Sequence, residues 1–219
     1  MVSVVVPILI RSESQHRTTV ACLEAAKTKT NLPFELVIVE TESNFFRAYA
    51  DVHIWEKHRT NSTRSINRGF HAASNEFVVL LTNDVIVSDG WLEHLLDCFK
   101  ISDCGLSTLA TTQFHHTRQN MIAEGIWFSV AAMLKKDAYF DESYQGAWDD
   151  SDLLMRVYLS GKKMYRNYNC VVDHKVGMTL YGEAGHDAKF EAGKAKFLEK
   201  WKDHKDTWIY NVLVTGYVI

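Results

Sequence analysis

Apolar residues fall along this chain in short blocks separated by polar, helix-compatible stretches. Val2–Ile10 is rich in β-branched residues and ends in polar ones, Phe34–Val39 is continuously apolar, and Phe77–Val87 is an apolar run broken by Thr82-Asn83-Asp84. Runs of four to eight apolar residues without alternation read as strands buried on both faces, the kind found in parallel sheets. Between them, Ser14–Lys29 places Val20, Leu23 and Ala26 at helical spacing, and Asn61–Ser74 places Ile66 and Phe70 on one face. Val52–Trp55 predicts a short additional strand. Strand, helix, strand, strand, helix, strand is the order of an α/β sandwich with a mainly parallel sheet.

The second half continues the pattern. A helix capped by Ser88 or Asp89 runs through Trp91, Leu92, Leu95, Leu96 and Phe99. Gly105–Thr111 reads as a strand, Gln113–Met121 as an aperiodic loop carrying His115, His116 and Arg118, and Gly125–Leu134 as a strand. Ala147–Leu159 predicts a helix ended by Gly161, Lys163–Val172 a strand running into Asp173-His174, and Ala184–Trp201 an amphipathic helix. Trp208–Ile219 is an apolar tail of strand-like composition, too short to span a bilayer, expected to pack on the domain; a homodimer contact or a membrane-surface dock is the alternative. No repeat, low-complexity segment or linker interrupts the 219 residues, so one domain is expected.

Composition narrows the classes. With 47% hydrophobic and 23% charged residues the chain is an ordinary globular sequence, and a net charge of −3 gives no broad basic field for generic nucleic-acid binding. Cys22, Cys98, Cys104 and Cys170 are scattered without a CxxC pair, and the N-terminus lacks the features of a signal peptide. A soluble, cytoplasmic protein is expected. The first glycine is Gly69, which excludes a dinucleotide-binding fingerprint or a phosphate-cradling loop after the first strand.

Candidate chemistry lies at element ends: Glu40 and Glu42 after the second strand, Asp84 after the Phe77 strand, Asp149, Asp150 and Asp152 opening a helix, and His174 after a late strand. Strand ends of a parallel sheet converge on one edge, so these groups can share a cleft. Crowded carboxylates call for a proton or a cation between them, and Asp84 with His174 suits Mg or Mn better than zinc.

In this order the motifs resemble the family 2 glycosyltransferases of the GT-A fold. The resemblance rests on Val2-Ser3-Val4-Val5-Val6-Pro7, on Val39-Glu40-Thr41-Glu42-Ser43 and on Asn67-Arg68-Gly69. It continues in Leu81-Thr82-Asn83-Asp84, in Trp148-Asp149-Asp150-Ser151-Asp152-Leu153, in Asp173-His174 and in Phe197-Leu198-Glu199-Lys200-Trp201. It implies an α/β fold, a GT-A (Rossmann-like) three-layer sandwich with a mainly parallel central sheet, divided into a nucleotide-sugar donor half (1–100) and an acceptor and catalytic half (101–219). The implied activity is hexosyl or deoxyhexosyl transfer from a nucleoside diphosphate sugar, UDP ahead of dTDP or GDP, to a glycan or other hydroxyl compound. A divalent metal, Mn or Mg, is implied at a DxD-like motif.

The resemblance also implies roles. Asp84 and His174 would hold the metal, and Asp150 would be the general base of an inverting transfer, ahead of Asp149. Pro7, Arg11, Glu40, Glu42, Arg64, Asn67 and Asn83 would face the donor. Trp148 would stack on an acceptor sugar, with a core position as its alternative, and Asp152 would tie down its helix or Arg156. The chain departs from the family pattern at Thr82, where an aspartate is usual, and at Asp149, where glutamate is usual. Two alternatives remain: a nucleotidyltransferase using the same cleft, and a non-catalytic nucleotide-sugar-binding module.

Overall fold

A computed structural model describes residues 1–112, 129–175 and 185–215. Its strands are β1 (Val2–Leu9), β2 (Phe34–Thr41), β3 (Val52–Glu56), β4 (Phe77–Leu81), β5 (Val85–Ile86), β6 (Cys104–Thr111), β7 (Val130–Leu134) and β8 (Lys163–His174). They form one sheet in the order β3-β2-β1-β4-β7-β6-β8-β5. β3, β2, β1 and β4 run parallel, as do β6 and β8; β7 is antiparallel to both neighbours, and β5 is antiparallel to β8.

The unbroken apolar runs have the two-sided burial they predict. In β1, Val2, Val4, Val6 and Ile8 point to one face, where Cys22, Leu23 and Ala26 of helix α1 (Glu13–Thr28) and Trp91, Leu92 and Leu95 of α3 (Trp91–Asp97) meet them. Val5 points to the other face with Val37 and Leu80, against Ile66 and Phe70 of α2 (Ser62–Ala72). The same face carries α4 (Asp149–Leu159), α5 (His186–Lys200) and α6 (Trp208–Thr215). The result is the three-layer α/β sandwich expected. Pro7 lies on β1 past Val5, the last residue paired with β4, so its missing N–H falls where that ladder has ended.

Several local expectations change. Phe77–Val87 is not one strand: β4 stops at Leu81, and Val85–Ile86 turns away to pair with β8. α3 is entered through Gly90 at φ 71°, without a side-chain cap from Ser88 or Asp89; Asp89 pairs instead with Lys29 at 2.9 Å. The apolar tail is helical over Trp208–Thr215, because Tyr210, Val212 and Leu213 bury against Phe197, and tertiary packing overrides β propensity. The Gln113–Met121 loop, most of the stretch before Val130, and 216–219 lie outside the described residues.

At Gly69 helix α2 approaches the sheet so closely that an added Cβ would overlap Val5 Cγ1. Gly69→Ala is expected to push α2 off β1 and cost about 1–3 kcal/mol, read as a lower midpoint in urea denaturation.

Candidate active site

Because β1, β2, β3 and β4 are parallel, their carboxyl ends share one edge, and the register aligns Ile8 with Glu40, Leu9 with Thr41 and Thr41 with Glu56. Ligands of open α/β sheets bind along such an edge. Arg11 follows β1 and reaches Glu42 Oε2 at 3.1 Å, with both side chains partly exposed. Glu42 has φ 65°, a left-handed conformation that a glutamate adopts at a cost of about 1 kcal/mol or more. Arg64 stands exposed on the first turn of α2.

Glu40 behaves differently from its expected role. It is fully buried and accepts from the main-chain N–H groups of Phe45 (2.6 Å) and Phe46 (3.1 Å), from the Ser43 hydroxyl at 2.7 Å, and contacts His53 Nε2 at 2.9 Å. Burial alone would raise its proton affinity, but these contacts outweigh it and hold the carboxyl below its usual range. Glu40 therefore shapes the loop after β2 and does not face a ligand. Asn67 is likewise occupied, donating to the Phe140 carbonyl and accepting from the Phe140 N–H, both at 2.8 Å. Glu56, unmarked in the sequence reading, is a second buried carboxylate, held by Thr41, Ser65 and Arg68. Its sequence signal was its position at the end of β3.

The turn after β4 is pinned by its main chain and by Thr82 and Asn83. Thr82 donates its N–H (2.9 Å) and hydroxyl (3.1 Å) to the Ser129 carbonyl, and the Asn83 amide donates to Thr19 on α1 at 2.8 Å. The Thr82 hydroxyl thus faces β7 rather than the cleft. The Asp84 carbonyl accepts from the Lys175 N–H at 2.9 Å. Asp84 Oδ1 is buried, makes no hydrogen bond, and lies 3.5 Å from His174 Nε2. Antiparallel pairing of Val85 with His174 brings these two together from ninety residues apart. An orphaned carboxylate oxygen beside an imidazole suits a hard or borderline divalent ion. Among the described residues no group of three or more His, Cys, Asp or Glu side chains could hold a metal by itself.

Helix α4 begins at Asp149, directly after Trp148, whose φ is 66°. A bulky residue in the left-handed region persists only where packing dictates it. Here the indole packs on Phe190 and Phe197, ring centroids 5.7 and 5.1 Å away, and Gly193 of α5 approaches so closely that a Cβ would stand 2.5 Å from the Ala147 carbonyl oxygen. Trp148 is thus a core residue and offers no ring face to a sugar, which corrects the stacking expectation. Burial raises the proton affinity of both Asp149 and Asp150; for Asp149 the charge of Asp152 adds to the effect, and for Asp150 the charge of Asp149 does. Asp152 is fully buried and, as expected, bound to Arg156 at 3.0 Å.

The sheet order and layers are those of the GT-A class of α/β proteins. The profile described as Glycosyl transferase family 2 matches residues 3–151, and the chain belongs to that family of glycosyltransferases. Solved structures share the fold. Mannosyltransferase PcManGT from Pyrobaculum calidifontis, solved with GDP-Man and Mn2+, is similar at TM-score 0.73 and 14% identity, over 98% of this chain and 68% of its own. S. aureus TarS is similar at TM-score 0.65 and 13% identity, over 90% of this chain and 39% of its own. Glucosyl-3-phosphoglycerate synthase from Mycobacterium tuberculosis, solved with Mn2+, UDP and glucosyl-3-phosphoglycerate, reaches 0.55 and 14%, over 80% of this chain and 71% of its own. A comparison with curated proteins finds no sequence match.

Glu40→Gln leaves an amide N–H₂ among donors that need an acceptor. It is expected to cost about 3 kcal/mol in urea denaturation, through disorder of the loop after β2.

Proposed function

We propose that the protein transfers a hexose or deoxyhexose from a nucleoside diphosphate donor to an acceptor hydroxyl with inversion, using a divalent ion held by Asp84 and His174 and Asp150 as general base. The observation that carries this reading is the buried Asp84 Oδ1, which makes no hydrogen bond and lies 3.5 Å from His174 Nε2 at the carboxyl edge of the sheet. Two protein ligands leave coordination positions for water and the donor's phosphate oxygens. A divalent ion bound there would neutralise charge on the departing nucleoside diphosphate. Mn2+ accompanies GDP-Man in the mannosyltransferase and UDP in the glucosyl-3-phosphoglycerate synthase, which supports Mn or Mg and leaves UDP, GDP and dTDP as donor classes.

Asp150 would accept the proton of the acceptor hydroxyl as that oxygen attacks the anomeric carbon from the face opposite the diphosphate. Burial and the neighbouring Asp149 make it a stronger base than a solvated aspartate. Arg11 and Glu42 lie at the same sheet edge as Asp84, where the nucleoside would be met, and Pro7, Arg64 and Asn83 are proposed to complete that donor site. All four cysteines are free thiols and buried, which suits a reducing, cytoplasmic setting. Among the described residues no helix is long and apolar enough to cross a membrane.

A thermal-shift panel of UDP-, GDP- and dTDP-sugars with and without Mn2+ tests the donor and metal together. Asp84→Ala is expected to abolish the Mn-dependent shift; a retained shift overturns the metal assignment. Release of pyrophosphate would favour a nucleotidyltransferase, and donor binding without transfer or hydrolysis a binding module.

Asp150→Asn should keep donor binding and lower turnover about 10²–10⁴-fold. Since the base works unprotonated and its proton affinity is raised, wild-type activity should fall on acidification well above the range of an ordinary aspartate. Asp149→Asn removes the neighbouring negative charge and should move that acid limb to lower pH. Unchanged limbs in pH–rate profiles would place the base elsewhere.

A further inference from the structure

The buried carboxylate of Asp152 is a meeting point for three segments. From α4 itself Arg156 Nε reaches its Oδ2 at 3.0 Å. From the end of α5, Lys200 Nζ stands 2.7 Å from its Oδ1, and the Trp201 indole N–H donates to the same oxygen at 3.1 Å. The Tyr144 hydroxyl, from the segment before α4, approaches it at 3.5 Å. Lys200 also binds Asp141 at 2.8 Å, so its ammonium joins the segment before α4 to the helix. Arg156 adds a bond to the Tyr139 carbonyl.

We propose that Lys200 and Trp201 are positioning residues, which act through Asp152 to fix the first turn of α4 and the electrostatic setting of the Asp149–Asp150 pair. Asp149 and Asp152 are three residues apart and share a helix face. An uncompensated Asp152 charge would therefore act on Asp149 and, through Asp149, on Asp150. Lys200 stays charged in this place: burial works against its ammonium, but its bonds to Asp141 and Asp152 outweigh burial and raise its proton affinity. Among the described residues the other charged or titratable groups facing this cluster are Asp141, Tyr144 and Arg156, with Lys196 of α5 over the Tyr144 ring at 5.1 Å and His204 against the Trp201 ring at 5.7 Å. Helix α6, packed alongside, carries no charged side chain, and Lys163 of β8 pairs with Asp103 beyond the carboxyl end of α4. Asp141 is held far below the usual carboxylate range: burial opposes this, and Lys200 and Ser143 outweigh it.

The geometry concerns the titration of the pair, and its effect on turnover rests on Asp150 as base. The test is a carbon-13 NMR titration of the Asp149 and Asp150 carboxyl carbons in the full chain. Lys200→Met is expected to raise their midpoint by about one pH unit, since the Asp152 charge beside Asp149 loses its cation. Lys200→Arg should return it close to the wild-type value. Trp201→Phe, which removes one N–H donor and keeps the ring, should move it in the same direction by less, and serves if Lys200→Met does not fold. A midpoint unchanged in a folded Lys200→Met or Trp201→Phe variant overturns the proposal, since a merely structural role would lower stability alone. Mn-dependent hydrolysis of GDP-mannose and UDP-glucose separates the two readings. A moved midpoint with an unmoved acid limb supports the coupling and overturns Asp150 as base.

Discussion

Two residue pairs, Val85 with His174 and Ile86 with Asp173, hold the cleft edge together. Strand β4 ends in the middle of the sheet, and the chain would continue away from it if the short β5 did not turn back onto β8. The turn is possible because Thr82 and Asn83 are each tied to a neighbour, Ser129 and Thr19, while the Lys175 N–H closes on the Asp84 carbonyl. With the main chain held at these points, the Asp84 carboxylate comes to 3.5 Å from the His174 imidazole. The parallel half of the sheet contributes the carboxylate, and the later half contributes the imidazole.

Buried carboxylates in this chain fall into two groups, and the difference separates architecture from chemistry. Glu40, Glu56 and Asp152 are each surrounded by donors that match their charge, so they organise a loop, a strand end and a helix start. Asp84 Oδ1 has no hydrogen bond, and Asp149 and Asp150 face burial and the charge of a neighbouring aspartate, Asp152 for Asp149 and Asp149 for Asp150. A buried charge without its complement is costly unless a ligand, metal or proton completes it. The under-compensated groups are the ones that sit at the sheet edge and at the strained entry to α4.

That strained entry shows how distant packing reaches the site. Trp148 adopts a left-handed conformation because its ring is locked between Phe190 and Phe197 and because Gly193 lets α5 approach the Ala147 carbonyl. The same helix ends in Lys200 and Trp201, on the carboxylate one turn into α4. The segment from Phe190 to Trp201 therefore touches both the residue before α4 and the carboxylate one turn into it, although it lies far along the chain.

Much of the architecture was legible in the residues themselves. Continuous apolar runs specified doubly buried strands, the helical spacing of Ile66 and Phe70 specified a packed α2, and the missing early glycines excluded other nucleotide folds. Those signals are local, since periodicity and burial act on neighbouring residues. The positions of Asp84, Asp149, Asp150 and His174 at element ends were legible for the same reason. Which polar side chains remain available was decided by the tertiary structure. Glu40 and Asn67 read as donor ligands until their hydrogen bonds to Phe45, Phe46 and Phe140 closed them off. Trp148 read as a stacking platform until α5 covered it, and the apolar tail read as a strand until Phe197 offered Tyr210 a surface. In each case the deciding partner lies outside the residue's own element, and so a local pattern carries no record of it.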